Sequence, residues 1–329
     1  MAESTSKVVQ CGICPKSCRI APGHSGECRV RVNVDGQLQA VTYGRPCSVH
    51  VDPIEKKPFF HYLPGTRILS LATVGCNLHC RNCQNWEISQ GNPEDLPAYD
   101  LPPDKVPAEA RKAECPSVAY TYTEPLVYYE YTMDCSAACR KAGLRNAIVT
   151  AGYVNPDPLR KFCRVIDAAT LDIKAMSDKF YREVCDASLP PVLRTIEILK
   201  EEKVYLELSN LVIPTLNDSD AMLRDLCRWV RDHAGAETPF HFLRFFPMYR
   251  MTQLPPTPQE TLVRAREIAR AEGLKHVYVG NLEVPDGENT FCAGCGKRLI
   301  QRVRHTVLEN RVQDGKCPDC HRDVNGVWK

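Results

Sequence analysis

The 329-residue sequence has almost no net charge, with 42 lysines and arginines against 40 aspartates and glutamates. Bulk electrostatics therefore give no reason to expect nucleic acid or an anionic membrane as a partner. Long apolar runs are also lacking. Stretches such as "ILSLATV" are far shorter than a membrane span, and the opening "MAESTSKVVQ" has no apolar core of the kind an export signal needs. No long repeat and no low-complexity tract occurs, which excludes solenoids and fibrous architectures. These absences predict a soluble, cytoplasmic protein with no membrane partner, large enough for a sizeable core.

What the chain does have is cysteine, eighteen in all. Eleven of them fall in three tight groups: Cys11, Cys14, Cys18 and Cys28; Cys76, Cys80 and Cys83; and Cys292, Cys295, Cys317 and Cys320. Without an export signal, such grouping favours metal or cluster ligation over disulfides. Cys47, Cys115, Cys135, Cys139, Cys163, Cys185 and Cys227 are scattered, as small buried apolar residues are, and no function is assigned to them.

Three regions follow from the pattern: a cysteine-rich module over 1–61, a core domain over 62–285 and a second metal-binding module over 286–329. In the first, "VDGQ" between alternating segments predicts a hairpin turn. The Pro-rich "GNPEDLPAYDLPPDKVPAEA" predicts an extended surface connection leading to a short helix. In the core, strands are expected at "ILSLATV", "SVAYTY", "NAIVTA", "ATLDIK", "YLELSNLVI" and "FHFLRFF", with "HVYVG" as a seventh candidate. Helices are expected over 125–142, 157–165, 192–202, 218–233 and 257–271. Strands alternating with helices imply parallel βαβ units, about six of which form an open or partial (β/α) barrel. In that architecture function sits on the loops after the carboxyl ends of the strands. Cys76, "TEP" with Glu124, "TAGY" with Thr150, "DIK" with Asp172 and Lys174, "SN" with Asn210, and "FPMY" with Tyr249 fall at or near successive strand ends.

"GCNLHCRNC" gives C-x3-C-x2-C. Three thiolates can bind three irons of a [4Fe–4S] cluster and leave the fourth iron to an exogenous ligand. A zinc site completed by His79 and three buried thiols are the alternatives. "FCAGC…CPDC" gives C-x2-C-x21-C-x2-C, whose two knuckles suit a structural tetrahedral site for zinc, with iron as the other candidate. A module of that size needs such a staple, since its core is small. The basic "KRLIQRVRHT" within it is read as a solvated hairpin face. "CGICPKSCRIAPGHSGEC" gives C-x2-C-x3-C-x9-C, in which a second cluster, zinc or no metal at all remain open.

With these residues in place, the sequence resembles the radical S-adenosylmethionine superfamily, whose loop after the first strand carries C-x3-C-x2-C. The resemblance implies an α/β fold, a partial (β/α)6 barrel, with a [4Fe–4S] cluster on Cys76, Cys80 and Cys83. It implies an enzyme that cleaves S-adenosylmethionine to a 5′-deoxyadenosyl radical, which takes hydrogen from a substrate. Glu124 of "TYTEP" matches the glutamate that accepts from the cofactor's amino group, although Tyr122 and Thr123 replace the family's glycines. "LDIKAMSD" is similar to pyruvate formate-lyase activating enzymes and implies that Asp172 and Lys174 lie near the cofactor's methionine end. "TAGYV" retains Thr150 and has Val149 in place of an aspartate. "FFPMY" puts Tyr249 near adenine, and Asn210 joins the implied cofactor contacts. Asn82 stands where many members carry an aromatic residue.

"CGICPKSCRIAPGHSGECRVR", "YGRP", "DPIEKKPFFHYLPG" and the closing "LENRVQDGKCPDC" through "GVWK" resemble the AmmeMemoRadiSam system radical SAM enzyme family. A flavodoxin or ferredoxin reductant and co-encoded Memo-like proteins are the partners that go with this resemblance. Further readings are an activase that installs a glycyl radical on a partner protein, an RNA-modifying radical enzyme that grips RNA with the terminal ribbon, and a non-enzymatic protein whose cysteines are all structural staples. "DPIEKKPFFHYLPG" is open between a substrate-contacting lid and a solvated charged turn followed by a Phe59–Phe60 anchor.

Overall fold

The computed structural model describes residues 7–329. The part of the export-signal reading that concerns Met1–Ser6 lies outside the described residues. No helix among the described residues is long and apolar enough to cross a membrane.

The chain opens with two small antiparallel pairs, β1 (Val9–Gln10) with β2 (Arg19–Ile20) and β3 (Arg31–Val34) with β4 (Gln37–Ala40). The second is the hairpin expected at "VDGQ". Asp35 and Gly36 both have positive φ, 50° and 83°, as a two-residue hairpin turn requires.

The main sheet has eight strands. They are β5 (Ser48–Pro53), β6 (Arg67–Ala72), β7 (Ser117–Tyr120), β8 (Arg145–Thr150), β9 (Ala168–Asp172), β10 (Tyr205–Val212), β11 (Phe240–Arg244) and β12 (Val277–Gly280). They lie side by side in chain order. β6 to β12 are all parallel, whereas β5 runs antiparallel to β6. β5 and β12 are the two unpaired edges, so the barrel is open. The six expected strands are present, "HVYVG" supplies β12, and β5 extends the sheet beyond what the alternation predicted.

The connecting helices are α1 (Trp86–Ser89), α2 (Val106–Lys112), α3 (Tyr129–Lys141), α4 (Pro156–Cys163), α5 (Asp178–Phe180, continued by a π-turn over Tyr181–Cys185), α6 (Leu189–Glu201), α7 (Asp220–His233) and α8 (Gln259–Ala271). α7 shows why such segments form. The Ser219 hydroxyl caps Met222 N, and Leu223, Leu226, Cys227 and Val230 recur on one face and are buried against the sheet. Proline stands in the first turn of α4 and α6, where its missing N–H costs nothing. Cys115, Cys135, Cys139, Cys163 and Cys227 are all buried, as small apolar residues would be.

The segment "DPIEKKPFFHYLPG" is not a solvated turn, and its Lys56, Lys57 and Pro58 do reach the cavity at the strand ends. It fills the inside of the open barrel. Ala119, Ala147 and Ala168, paired in register on β7, β8 and β9, leave room for Phe59 and Tyr62, which are fully buried. One layer nearer the strand ends, Thr170 Oγ1 donates to Pro58 O at 2.8 Å. Glu207 accepts from Phe60 N and His61 N at 2.9 and 2.8 Å. The charged residues are drawn inside with the rings: Asp52, Glu55, Lys57 and His61 are all buried. The Phe59–Phe60 anchor is real, and the charges before it are part of the same plug.

The C-terminal module is a three-stranded antiparallel sheet of β13 (Thr290–Phe291), β14 (Arg298–Val303) and β15 (Thr306–Asn310). It docks on the plug. Val327 N donates to His61 O at 2.7 Å, and Leu63 N donates to Val327 O at 2.7 Å. The basic hairpin is only partly solvated, because Arg302 is buried, donates to Phe60 O and lies over the Phe60 ring.

Candidate functional site

The loop after β6 carries Cys76, Cys80 and Cys83, and its shape is set by contacts from distant parts of the chain. Gly75 has φ +100°, and a side chain there would strike Val30 and the Cys28 carbonyl, at 2.3 and 2.5 Å from an added Cβ. Only glycine allows so close an approach of the N-terminal module. Asn77 Nδ2 donates to Tyr153 O at 2.7 Å. His79 N and Arg81 N donate to Cys185 O and Val184 O, both at 2.9 Å. Gln90 Nε2 reaches back to Leu78 O at 3.0 Å.

His79 is not available to the three thiols. Its Nδ1 meets Gln90 Oε1 at 2.7 Å, and its Nε2 faces the Glu27 and Asp186 carboxylates at 3.9 Å. Lys16 Nζ sits between those carboxylates at 2.7 and 2.6 Å. The zinc alternative therefore loses His79 as its fourth ligand.

A cavity of about 430 Å³ opens at the carboxyl ends of the strands. Cys76, Cys80 and Cys83 line it together with Glu124, Thr150, Asp172 and Lys174. Asn210 does not face it; its Nδ2 donates to Ile173 O and Lys174 O at 2.7 and 3.2 Å and holds the "DIK" turn from behind. Tyr249 also stands outside the lining, stacked on Trp86 with ring centroids 5.1 Å apart.

Glu124 is the informative group. Its carboxylate accepts from Thr150 Oγ1 at 2.8 Å and from Ala151 N at 3.0 Å. Among the described residues no cation lies in ion-pair contact with it, and burial pushes it up from 4.5 to about 7 despite those donors and the more distant Lys174. A fully buried carboxylate that faces a cavity and forms no ion pair is suited to a ligand that brings an amino group. Across the cavity, Lys174 Nζ lies 3.4 Å from Asp172 Oδ2. Asp172 also accepts from Ser209. Burial works against the Lys174 charge, but Asp172 and the neighbouring thiols outweigh it and hold it cationic. The cavity thus offers a carboxylate to an amine, an ammonium to a carboxylate, and three thiols to a metal group. That donor set fits a [4Fe–4S] cluster with S-adenosylmethionine.

Sequence reasoning missed two groups near this cavity. Cys185, among the scattered cysteines, has its thiol against Cys80 and pulls the Cys80 thiol down. Tyr122 lines the cavity with φ +65°, donates to Asp52 and carries Lys57 Nζ 4.6 Å above its ring. Nothing in the spacing marks Cys185, because the π-turn that delivers it is a tertiary feature.

The four C-terminal sulfurs lie within 4.8 Å of one another, with Cys292–Cys320 at 3.5 Å and Cys295–Cys317 at 3.7 Å. A tetrahedron with Zn–S near 2.3 Å has edges of roughly 3.8 Å, so this group is shaped for one metal ion.

Residues 70–227 match the radical SAM superfamily. An uncharacterised protein of Methanocaldococcus jannaschii is 44% identical over 321 residues, covering 97% of this chain and 96% of that protein. The pyruvate formate-lyase 1-activating enzyme of Escherichia coli K12 is 25% identical over 231 residues, 65% of this chain and 93% of the enzyme. Among solved structures, Streptococcus suis SuiB bound to S-adenosylmethionine superposes with a TM-score of 0.52 at 13% identity, over 70% of this chain and 53% of SuiB. A radical SAM methyltransferase from Sphaerobacter thermophilus gives 0.53 at 17% identity, over 72% of this chain and 71% of that one. These two establish the fold alone. Together with the cavity, the family and relatives lead to one conclusion: the chain belongs to the radical SAM superfamily, is an enzyme of that class, and is similar to pyruvate formate-lyase activating enzymes.

Proposed function

We propose that Cys76, Cys80 and Cys83 hold a [4Fe–4S] cluster with one open iron, and that Glu124, Thr150, Asp172 and Lys174 hold S-adenosylmethionine against it. When bound and reduced, this pair supplies a 5′-deoxyadenosyl radical that takes hydrogen from a small-molecule or partner-bound substrate. The observation that carries the reading is Glu124, a buried carboxylate with no ion-pair partner among the described residues, in the cavity the three thiols share.

In this reading each residue has a physical task. Glu124 accepts from the amino group of the ligand. Thr150 and Ala151 N fix its two oxygens, so it does not reorganise on binding. Lys174 offers its ammonium to the carboxylate of the ligand while Asp172 keeps it charged. Asn210 holds the backbone under Lys174, and Tyr249 stacks on Trp86 beside the cluster loop, outside the cavity lining. The Cys292, Cys295, Cys317 and Cys320 set holds structural zinc that keeps the ribbon against the plug.

The test is anaerobic reconstitution with iron and sulfide, reduction, and assay of 5′-deoxyadenosine. The expected result is its formation by the native chain and its loss in Cys80→Ala with unchanged circular dichroism. Failure of the native, cluster-loaded chain to form it rejects the reading. A second reading, an activase for a glycyl radical partner, is favoured by the similarity to the E. coli activating enzyme. A glycine-centred EPR signal on a co-encoded partner after incubation distinguishes it. The AmmeMemoRadiSam assignment, with a flavodoxin or ferredoxin donor and Memo-like partners, belongs to this proposal on the motifs quoted above. An RNA grip on the ribbon is disfavoured because Lys297 and Arg311 pair with Asp319, Arg304 pairs with Glu283, and Arg302 is buried.

A further inference from the structure

The four N-terminal cysteines converge although the sequence does not say on what. β1 and β2 pair, and Cys11 N donates to Cys18 O at 2.9 Å, which folds the C-x2-C-x3-C stretch into a loop. Cys28 returns to that loop through Gly26, where an added Cβ would lie 3.4 Å from Cys18 Sγ. All four cysteines line one small cavity, whose remaining wall includes the apolar Ile20 and Val127. Cys11, Cys14 and Cys28 are 6, 8 and 8% exposed.

Two features say what kind of group belongs there. The first is width. Among the described residues, the C-terminal cysteines are the cysteine group whose sulfurs all lie within 4.8 Å of one another, as one tetrahedral ion needs; no three of the N-terminal four meet that spacing. The second is Arg31, which lines the same cavity and is only 5% exposed. Its terminal nitrogens donate to Glu130 at 2.7 and 2.9 Å, while its Nε–H has no partner among the described residues. A buried N–H beside four thiols lacks an acceptor, and negatively charged cluster sulfur supplies one.

We propose that Cys11, Cys14, Cys18 and Cys28 hold a second [4Fe–4S] cluster, with all four irons ligated by protein and none open to an exchangeable ligand. Assembly takes ferric and ferrous iron in equal number with as many sulfides as irons, which gives the resting oxidation state without a further oxidant, and releases the four thiol protons to solvent. The second cluster is adjacent to the site after β6. Asn77 lines the N-terminal cavity, and its chain neighbour Cys76 lines the large one. This inference stands on the N-terminal residues and does not depend on S-adenosylmethionine chemistry.

The test uses the full chain with Cys76, Cys80 and Cys83 all changed to Ala, reconstituted anaerobically with iron and sulfide after zinc has filled the ribbon. The expected result is roughly four irons and four sulfides per chain, with a reduced-cluster EPR signal that S-adenosylmethionine leaves unchanged. Adding Cys14→Ala and Cys18→Ala removes that signal while circular dichroism holds. In the native chain, full reduction broadens both cluster signals by spin–spin coupling. A folded triple variant that takes up only a mononuclear metal, or no iron, overturns the inference. The outcomes also separate the two proposals. A native chain with two clusters and no 5′-deoxyadenosine rejects the proposed function alone, and one active cluster without the second rejects this inference alone.

Discussion

Glu124 lies just above the strand ends and Glu207 lies inside the barrel, and both are out of solvent, at 1% and 0% exposure. Their surroundings differ in kind. Glu207 receives two backbone N–H groups of the plug, His241 Nε2 at 2.8 Å and Tyr205 Oη at 3.3 Å. Glu124 receives a threonine hydroxyl and backbone N–H groups, and otherwise faces open cavity. The first carboxylate is used to fasten the chain to itself. The second, under the proposed function, is the group that meets the ligand's amine.

The largest expected effect separates these roles. Glu207→Ala strands His241 and two buried N–H groups, and lowers stability by about 3–5 kcal/mol in chemical denaturation. Near pH 4.5, where the Glu124 carboxyl is protonated, Glu124→Gln leaves stability within about 1 kcal/mol, and it abolishes 5′-deoxyadenosine formation in the assay. If Glu124→Gln unfolds the protein as far as Glu207→Ala does, Glu124 is a structural residue and the distinction collapses.

The comparison can be sharpened with pH. Glu124 is raised from 4.5 to about 7 in the folded protein, so between these values the native state holds a proton that the unfolded state has lost. Stability of the ligand-free protein therefore falls as pH rises from about 4.5 to 7, by roughly 3 kcal/mol for that shift. The measurement is the difference in denaturation free energy between the native chain and Glu124→Gln across that range. A difference that stays constant with pH contradicts the shifted carboxylate.

Lys174→Met comes next. It removes the ammonium but keeps the length of the side chain, and S-adenosylmethionine affinity of the reconstituted protein drops tenfold to a hundredfold by calorimetry, about 1.4–2.7 kcal/mol. An unchanged affinity places the ligand carboxylate elsewhere.

The sequence made the upper end of the barrel readable and left the interior dark, for a physical reason. Residues after strand ends occur at regular chain intervals, so Glu124, Thr150, Asp172 and Lys174 could be placed once the alternation was seen. Buried parallel strands also read as apolar runs, which located β6 to β12. The plug obeys no local rule. His61 is satisfied by Asn325 O and Tyr278 Oη, and Phe60 by Glu207, all far along the chain. "DPIEKKPFF" looks solvated until its partners are known. The same holds for Asn210 and Tyr249, whose chain positions suggested cavity contacts while their side chains turn to the Lys174 backbone and to Trp86.

The smallest effects test the plug itself through two adjacent lysines. Lys57 Nζ donates to Asp52 Oδ2 at 2.6 Å with its side chain 2% exposed, whereas Lys56 Nζ reaches Asp52 Oδ1 at 2.9 Å from a half-exposed side chain. Both line the cavity, so a lid would make them alike. As part of a plug they are unlike. Lys57→Met leaves a buried carboxylate short of its nearest charge, with Ser70, Tyr122 and Lys56 still donating to it, and costs about 2 kcal/mol. Lys56→Ala removes a solvent-screened pair and costs less than about 1 kcal/mol. Equal and negligible losses in thermal unfolding would return the segment to the mouth of the barrel. The expected inequality keeps it inside, where Asp52 of β5 is held by Lys56, Lys57, Ser70 and Tyr122.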